Sequence, residues 1–167
     1  MKNVILVRHA KSDWDNSIQN DIDRPITEQG RHEATLMAKR LLKKHIPIDA
    51  IICSPAKRAV TTASYFAEAY QTKEREIIKI PELYHAYSFD FFEVIQKLDD
   101  SINNVVLISH NPGITDFANR LTDMRIDHMP TCSVFAIQAS TDQWKDFQKK
   151  EKKFLFFDYP KLKENSN

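Results

Sequence analysis

Four side chains of this sequence have the chemistry to hold an oxyanion: Arg8, His9, Arg58 and His110. A guanidinium group offers a fork of N–H donors whose spacing matches the oxygens of a phosphate. One imidazole can act as a nucleophile, and a second imidazole can stabilise charge on a group that is being transferred. These four side chains therefore predict a pocket for a dianion, provided that the fold brings them to one place.

Each of these residues follows a short hydrophobic segment that is typical of a buried strand. We expect strands at residues 3–7, 50–53, 77–80, 104–109, 133–139 and 154–157. We expect helices at residues 27–44 and 54–70, capped by Thr27 and Ser54, and at residues 89–98 and 113–121. This alternation predicts an α/β fold, a three-layer α/β/α sandwich with a mostly parallel central sheet. Ligands of such sheets bind outside the carboxyl ends of the strands, so the four side chains should meet at that edge.

The composition fits one globular domain of 167 residues, with 42% hydrophobic and 28% charged residues. We expect that domain to span residues 1–160 and the tail 161–167 to be frayed. The 24 basic and 23 acidic residues leave a net charge of +1, which argues against binding to nucleic acid. The hydrophobic run 4–7 is too short for a secretory signal or a membrane span, so we expect a cytoplasmic protein without a membrane partner.

Glycine and cysteine are scarce, which limits the kinds of site that the chain can build. With two glycines, neither the GxGxxG motif nor a P-loop can be written, so a phosphate would have to be held by side chains. The two cysteines, Cys53 and Cys132, lack CxxC spacing and are expected to be buried free thiols. A zinc site of His9, His85 and His110 is disfavoured, because two flanking arginines would repel a cation.

Four sequence motifs, in this order along the chain, resemble those of the histidine phosphatase superfamily. They are residues 6–12 (LVRHAKS), 54–63 (SPAKRAVTTA), 81–84 (PELY) and 109–112 (SHNP). The stretch Asp21-x-x-Arg24-Pro25-x-Thr27-x-x-Gly30 is similar to the SixA-type phosphohistidine phosphatases of that superfamily. Ala10 departs from the pattern, since many members have glycine there. The resemblance implies a phosphoglycerate-mutase-like fold. It also implies that His9 is the nucleophile that becomes transiently phosphorylated, and that Arg8, Arg58 and His110 bind the phosphoryl oxygens.

Several residues compete for the roles of proton donor and substrate contact. Glu82 stands where other branches of the superfamily have the proton donor, and His85 and Asp15 are the alternatives. A phosphohistidine substrate needs less acid assistance than an alkyl ester, because its leaving imidazole has a pKa of about 6.5. Ser12 and Asp15 are possible substrate contacts. Mutases of the superfamily typically have asparagine at the position of Asp15, whose carboxylate would repel a second phosphate, so we do not expect a mutase.

Together these features predict a metal-independent phosphatase that works through a phosphohistidine intermediate and needs no cofactor. The expected substrate is phosphohistidine on a protein, so the partner is a phosphorylated protein or a small phosphorylated molecule. The alternatives are a phosphatase of small phosphomonoesters and a phosphoryl-binding module without catalysis. His9 distinguishes an enzyme from such a module, because binding alone would require only the arginines.

The remaining hydrophobic and basic clusters are expected to be structural. Leu42 is expected on the buried face of the first helix, and Phe89, Phe91 and Phe92 are expected in the core. The lysines at positions 145, 149, 150, 152 and 153 are expected to form a solvated bend rather than a docking patch for an acidic partner.

Overall fold

The computed structural model describes residues 1–14 and 20–163, apart from the side chain of Arg75. The strands are β1 (Lys2–Arg8), β2 (Ala50–Cys53), β3 (Ile78–Lys79), β4 (Asn104–Ser109), β5 (Val134–Ala139) and β6 (Lys152–Asp158). The α-helices are α1 (Glu28–Lys43), α2 (Lys57–Ala69), α3 (Ser88–Gln96) and α4 (Gly113–Leu121). Short 3-10 helices lie at Asp21–Asp23, Glu74–Glu76, Pro81–Leu83 and Trp144–Lys149. No helix in this part of the chain is long and apolar enough to cross a membrane.

The strands form one sheet in the order β3-β2-β4-β1-β5-β6. The pairs β1–β4, β2–β4 and β2–β3 are parallel, whereas β5 is antiparallel to both β1 and β6. The predicted α/β class with a mostly parallel sheet is therefore confirmed. Because β1, β2 and β4 run in the same direction, the residues that follow them start from the same edge of the sheet.

Helices cover both faces of the sheet. Successive strand residues point to opposite faces, so each strand contributes to two separate cores. Val4 and Leu6 belong to a core with residues of α3 and α4. Ile5 and Val7 belong to a second core with residues of α1 and α2. The sheet is therefore the middle of three layers, as predicted.

The two helices that begin near the predicted site start differently from each other. The hydroxyl oxygen of Thr27 accepts a hydrogen bond from the backbone N–H of Gly30 (3.0 Å), which confirms Thr27 as the cap of α1. The prediction for α2 was wrong, since the helix begins at Lys57 with Ala56 at the cap position and no side-chain cap. The hydroxyl of Ser54 accepts instead from the N–H of Ala56 (3.2 Å), before the helix begins.

Two hydrophobic residues that were expected in the core are exposed. Leu42 is 43% exposed, because it lies about 80° around the helix from the buried Ala34, at the margin of the buried stripe. Phe89 is 64% exposed, because it lies about 200° around α3 from the buried Phe91. The core prediction was right for Phe91 and Phe92.

Both glycines of the chain stand where two backbone segments approach closely. A Cβ atom at Gly30 would collide with the backbone of Lys11, and one at Gly113 would collide with the carbonyl group of Ala86. Lys11 comes two residues after His9, and Gly113 comes three residues after His110. The absence of a side chain at these two positions therefore allows tight packing of the loops that carry the imidazoles.

Candidate active site

The carboxyl ends of β1, β2 and β4 bring the predicted imidazoles and guanidinium groups together. His9 follows β1, and its backbone N–H donates to the carbonyl of Ser109, the last residue of β4 (3.1 Å). His110 is the next residue, and the centroids of the two imidazole rings are 5.0 Å apart. The exposed fractions of His9, Arg58 and His110 are 7%, 6% and 9%, and Arg8 is half-buried. The site thus combines both imidazoles with cationic groups that are largely shielded from water.

His9 is held as a neutral imidazole whose Nε2 atom forms no hydrogen bond with the described residues. Its Nδ1 lies 2.8 Å from the carbonyl oxygen of Ala10, which can only accept, so Nδ1 carries the proton and Nε2 the lone pair. Burial, reinforced by the positive charges of Arg58 and Arg8, lowers the pKa of His9 to about 3. The ring is therefore uncharged at neutral pH, and the lone pair of Nε2 is available to a phosphorus atom.

His110 is also neutral, and for the same reasons. Burial is the largest cause, and the neighbouring His9 and Arg58 act in the same direction, so the pKa of His110 falls to about 3. Asp21 opposes this effect without cancelling it. The Nε2 atom of His110 is hydrogen-bonded to the hydroxyl of Ser54 (2.7 Å).

Three buried nitrogen atoms around these imidazoles have no hydrogen-bond partner among the described residues. They are Arg8 Nε, Arg58 Nε and His110 Nδ1. Buried polar groups in folded proteins are nearly always paired, because leaving one unpaired costs about 1–3 kcal/mol. Unpaired N–H donors on two guanidinium cations favour an anionic ligand at this place.

Asp21 connects Arg58 to Arg24 and Tyr84 by hydrogen bonds. Arg58 donates from Nη1 to the backbone carbonyl of Asp21 (2.8 Å) and from Nη2 to its carboxylate (3.0 Å). The same carboxylate accepts from Arg24 Nη1 (2.9 Å) and from the hydroxyl of Tyr84 (2.6 Å). Burial alone would raise the pKa of Asp21, but the bonds from Tyr84, Arg24 and Arg58 outweigh it and hold that pKa well below its usual range. Asp21 therefore stays ionised and fixes both arginines.

Sequence reasoning did not assign a role to Asp21, Arg24 or Tyr84. The available signal was the Asp-x-x-Arg spacing, since residues three apart on a helical turn project to the same side. Asp21–Asp23 forms such a turn, and Arg24 follows it directly. The contribution of Tyr84 could not be found this way, because it lies 63 residues from Asp21 in sequence.

Arg24 is a third guanidinium of the site and, like Arg58, it is buried, with 7% of its surface exposed. Its Nε donates to the carbonyl of Asp13 (3.0 Å), Nη2 donates to the hydroxyl of Ser12, and the group packs 3.3 Å from the ring centroid of Trp14. Its positive charge also lowers the pKa of His9. Ser12, predicted as a possible substrate contact, is thus placed where it holds Arg24. Asp15, the other predicted contact, lies outside the described residues.

The candidate proton donors lie in different surroundings. Glu82 is exposed on the 3-10 helix Pro81–Leu83 and lines a groove with Asp90 and Glu93 of α3. His85 is exposed as well, and its ring packs against that of Tyr84 with centroids 3.9 Å apart. Tyr84 in turn packs edge-on against His110 (5.6 Å), and His85 contributes to the lowered pKa of His110. The contacts of the described residues therefore connect His85 to the imidazole pair.

The site is rich in donors and poor in metal ligands. Within residues 1–14 and 20–163, no three His, Cys, Asp or Glu side chains are grouped so that they could hold a metal ion. The arginines instead supply positive charge directly, in the fixed fork geometry that suits phosphate oxygens. The arrangement can bind a dianion and present a neutral nitrogen nucleophile to it.

Comparisons with known proteins agree with this arrangement. The sequence profile of the histidine phosphatase superfamily (branch 1) matches residues 4–85. Uncharacterized protein MT1313 of Mycobacterium tuberculosis is 31% identical over 113 residues, which are 67% of this chain and 67% of that protein. The chain belongs to the histidine phosphatase superfamily.

Two further comparisons give a shorter sequence match and a structural match. Phosphoserine phosphatase 1 of Hydrogenobacter thermophilus is 41% identical over 81 residues, but the match covers 47% of this chain and only 36% of that protein. The solved structure of the protein histidine phosphatase SixA complexed with tungstate superposes with a TM-score of 0.80 at 21% identity. That superposition covers 95% of this chain and 97% of SixA. It confirms the predicted phosphoglycerate-mutase-like fold.

Proposed function

We propose that this chain is a metal-independent phosphatase that removes the phosphoryl group from phosphohistidine on a protein, through a phosphorylated His9. One observation carries the proposal: the neutral His9 ring lies among buried nitrogen atoms of Arg8, Arg58 and His110, and neither its Nε2 nor these atoms have a hydrogen-bond partner among the described residues. A nucleophile and an oxyanion cradle are thus adjacent. The similarity to SixA in fold supports the choice of substrate, because SixA is a protein histidine phosphatase.

In the first step the phosphoryl group binds through its oxygens to the two guanidinium groups and to His110. Such a group carries a charge of about −1.5 to −2 near neutral pH, which Arg8 and Arg58 neutralise. The lone pair of His9 Nε2 attacks phosphorus, and the bond from phosphorus to the substrate nitrogen breaks. That nitrogen keeps the electron pair and takes up a proton. The hydrogen bond from His9 Nδ1 to Ala10 stabilises the positive charge that develops on the phosphorylated ring.

In the second step a water molecule attacks phosphorus. The bond from phosphorus to His9 Nε2 breaks, its electron pair returns to the ring, and inorganic phosphate forms. Either Glu82 or His85 supplies the proton to the leaving group in the first step and accepts one from water in the second. Imidazole leaves more readily than an alkoxide, because its pKa is about 6.5, so this proton transfer contributes less than it does with phosphate esters.

The test compares leaving groups in the presence of EDTA. Purified protein is assayed against a phosphohistidine-containing protein, free phosphohistidine and phosphoserine. We expect undiminished activity with EDTA, the highest kcat/KM on the phosphohistidine protein, and no activity for His9→Ala. The matched control is His32→Ala, which removes an exposed histidine of α1 and should retain full activity. Loss of activity with EDTA, or full activity of His9→Ala, would contradict the proposal.

A second candidate function is hydrolysis of small phosphomonoesters. The observation that favours it is the 41% identity to phosphoserine phosphatase 1 over 81 residues. The same assay separates the two candidates, since a higher kcat/KM on phosphoserine than on either phosphohistidine substrate would favour the second. Tight phosphate binding without turnover of any substrate would favour a binding module.

A further inference from the structure

Ser54 is a fully buried residue at the carboxyl end of β2, with no exposed surface. Its backbone N–H donates to Ile108 of β4 (3.0 Å), which fixes the start of the turn toward α2. Its hydroxyl lies 2.7 Å from His110 Nε2 and 3.2 Å from the backbone nitrogen of Ala56. Since α2 begins at Lys57, this hydroxyl does not cap the helix. Its position instead couples it to an imidazole of the candidate site.

The direction of the bond between Ser54 and His110 follows from counting protons. A serine hydroxyl has one proton to donate and two lone pairs that accept. The N–H of Ala56 can only donate, so it uses one of the lone pairs of Ser54. Among the described residues, His110 Nε2 is the acceptor within reach of the hydroxyl proton. A buried O–H group without an acceptor would be costly, so Ser54 donates and Nε2 accepts.

This bond decides where the proton of the neutral His110 ring resides. Because Nε2 accepts, the proton must be on Nδ1, which is buried and has no partner among the described residues. Strand β4 lies between β2 and β1 in the sheet, so His110 lies between Ser54 on one side and His9 on the other. An Nδ1–H group can donate to a phosphoryl oxygen beside His9, whereas a bare Nδ1 lone pair would repel it.

We propose that Ser54 is a positioning residue that holds His110 as its Nδ1–H tautomer, so that a neutral imidazole donates a hydrogen bond to the phosphoryl group. The charged and titratable groups that face His110 are His9, Arg58, Asp21, His85 and Tyr84. Three of these disfavour a second proton on the ring, and Asp21 alone favours it. The assignment applies to the neutral ring, in which only one of the two nitrogen atoms carries a proton. The part of this inference that concerns phosphoryl binding rests on the proposed function.

The direct test is ¹⁵N NMR of protein labelled at histidine. The signals of His110 are assigned by their loss in His110→Asn. In the wild-type protein we expect a protonated Nδ1 and an unprotonated, hydrogen-bonded Nε2. In Ser54→Ala, Nε2 loses its donor, and we expect a substantial population of the Nε2–H tautomer. A wild-type ring protonated on Nε2, or an unchanged ring in Ser54→Ala, would overturn the inference. The wild-type spectrum alone is decisive if the variant does not fold.

Ser133→Ala is the matched control, because Ser133 is another fully buried serine whose hydroxyl has no partner among the described residues. It should leave the His110 signals unchanged. Binding of inorganic phosphate, measured by titration calorimetry, should weaken about tenfold in Ser54→Ala and not in Ser133→Ala. This is less than the 100- to 1,000-fold effect of deleting an oxyanion donor outright, because the ring remains. The NMR result does not depend on turnover. An inactive protein with the expected tautomers would therefore refute the proposed function and leave the assignment of the His110 tautomer to Ser54 intact.

Discussion

The two buried imidazoles make the stability of the fold depend on pH in the range where histidine titrates. The pKa of His9 and of His110 falls from about 6.5 in the unfolded chain to about 3 in the folded chain. The unfolded chain therefore binds more protons between these values. The stabilisation is fully present above pH 6.5 and is lost as the pH falls toward 3.

The magnitude follows from proton linkage. Each histidine reduces the free energy of unfolding by about 1.4 kcal/mol per pH unit below its unfolded pKa. Acidification to pH 5 therefore removes roughly 2 kcal/mol for each ring, or roughly 4 kcal/mol for the pair. That is a large part of the 5–15 kcal/mol that stabilises a typical domain, so the effect should be easy to measure. Asp21 stays ionised over this range and does not contribute.

The assay is urea unfolding at pH 7.5, 6 and 5 in buffers free of phosphate and sulfate. The double variant His9→Gln/His110→Asn should lose roughly 4 kcal/mol less than the wild-type protein between pH 7.5 and 5. His32→Gln, which replaces an exposed histidine, should keep the wild-type dependence. Equal stability of the wild-type protein at pH 7.5 and 5 would refute the reasoning. So would a double variant that loses as much stability as the wild-type protein.

Three further predictions concern the arginine cradle and the loop after β4. Arg58→Ala should lower kcat/KM by about two to three powers of ten, as removal of an oxyanion donor does. A change below tenfold would contradict a contact between Arg58 and the phosphoryl group. Asp21→Ala should lower the free energy of unfolding by roughly 1–3 kcal/mol, an effect kept small because the carboxylate is half-exposed and screened by water. Added phosphate should raise the melting temperature of this variant more than that of the wild-type protein. Its control is Asp23→Ala, on the same 3-10 helix but exposed, and an equal response to phosphate in the two variants would contradict the role of Asp21. Gly113→Ala should destabilise the fold by about 1–3 kcal/mol in thermal unfolding, because the added Cβ meets the carbonyl of Ala86, and a wild-type melting temperature would argue against that close approach.

The sequence predicted strands and helices correctly wherever the local pattern of residues agrees with their burial in the fold. The runs 50–53 and 104–109 are rich in hydrophobic residues, half of the residues in each are β-branched, and the runs coincide with β2 and β4. The Thr27 cap and the buried stripe of α1 follow from helical spacing. Once parallel strands were expected, the meeting of the residues followed, because the carboxyl ends of parallel strands lie at the same edge of a sheet. This is why the imidazole pair could be anticipated.

The sequence did not predict hydrogen bonds between side chains that are far apart along the chain. The bond between Tyr84 and Asp21 joins residues 63 positions apart, and that between Ser54 and His110 spans 56. Lys2 is a similar case, since its Nζ is buried against Trp144 and donates to the carbonyl groups of Asp100 and Ile102. A lysine at the start of a strand is usually exposed, so nothing local indicates this arrangement. Leu42 and Phe89 are hydrophobic but exposed, because hydrophobicity alone does not decide which side of a helix is covered.

The most direct test of the central claim is to trap the covalent intermediate. The protein is incubated with phosphoramidate, quenched in alkali, and digested for mass spectrometry. We predict one phosphoryl group on the peptide that contains His9, stable in alkali and labile in acid, and its absence from His9→Gln. A phosphoryl group on another residue, or wild-type turnover by His9→Gln, would contradict the account.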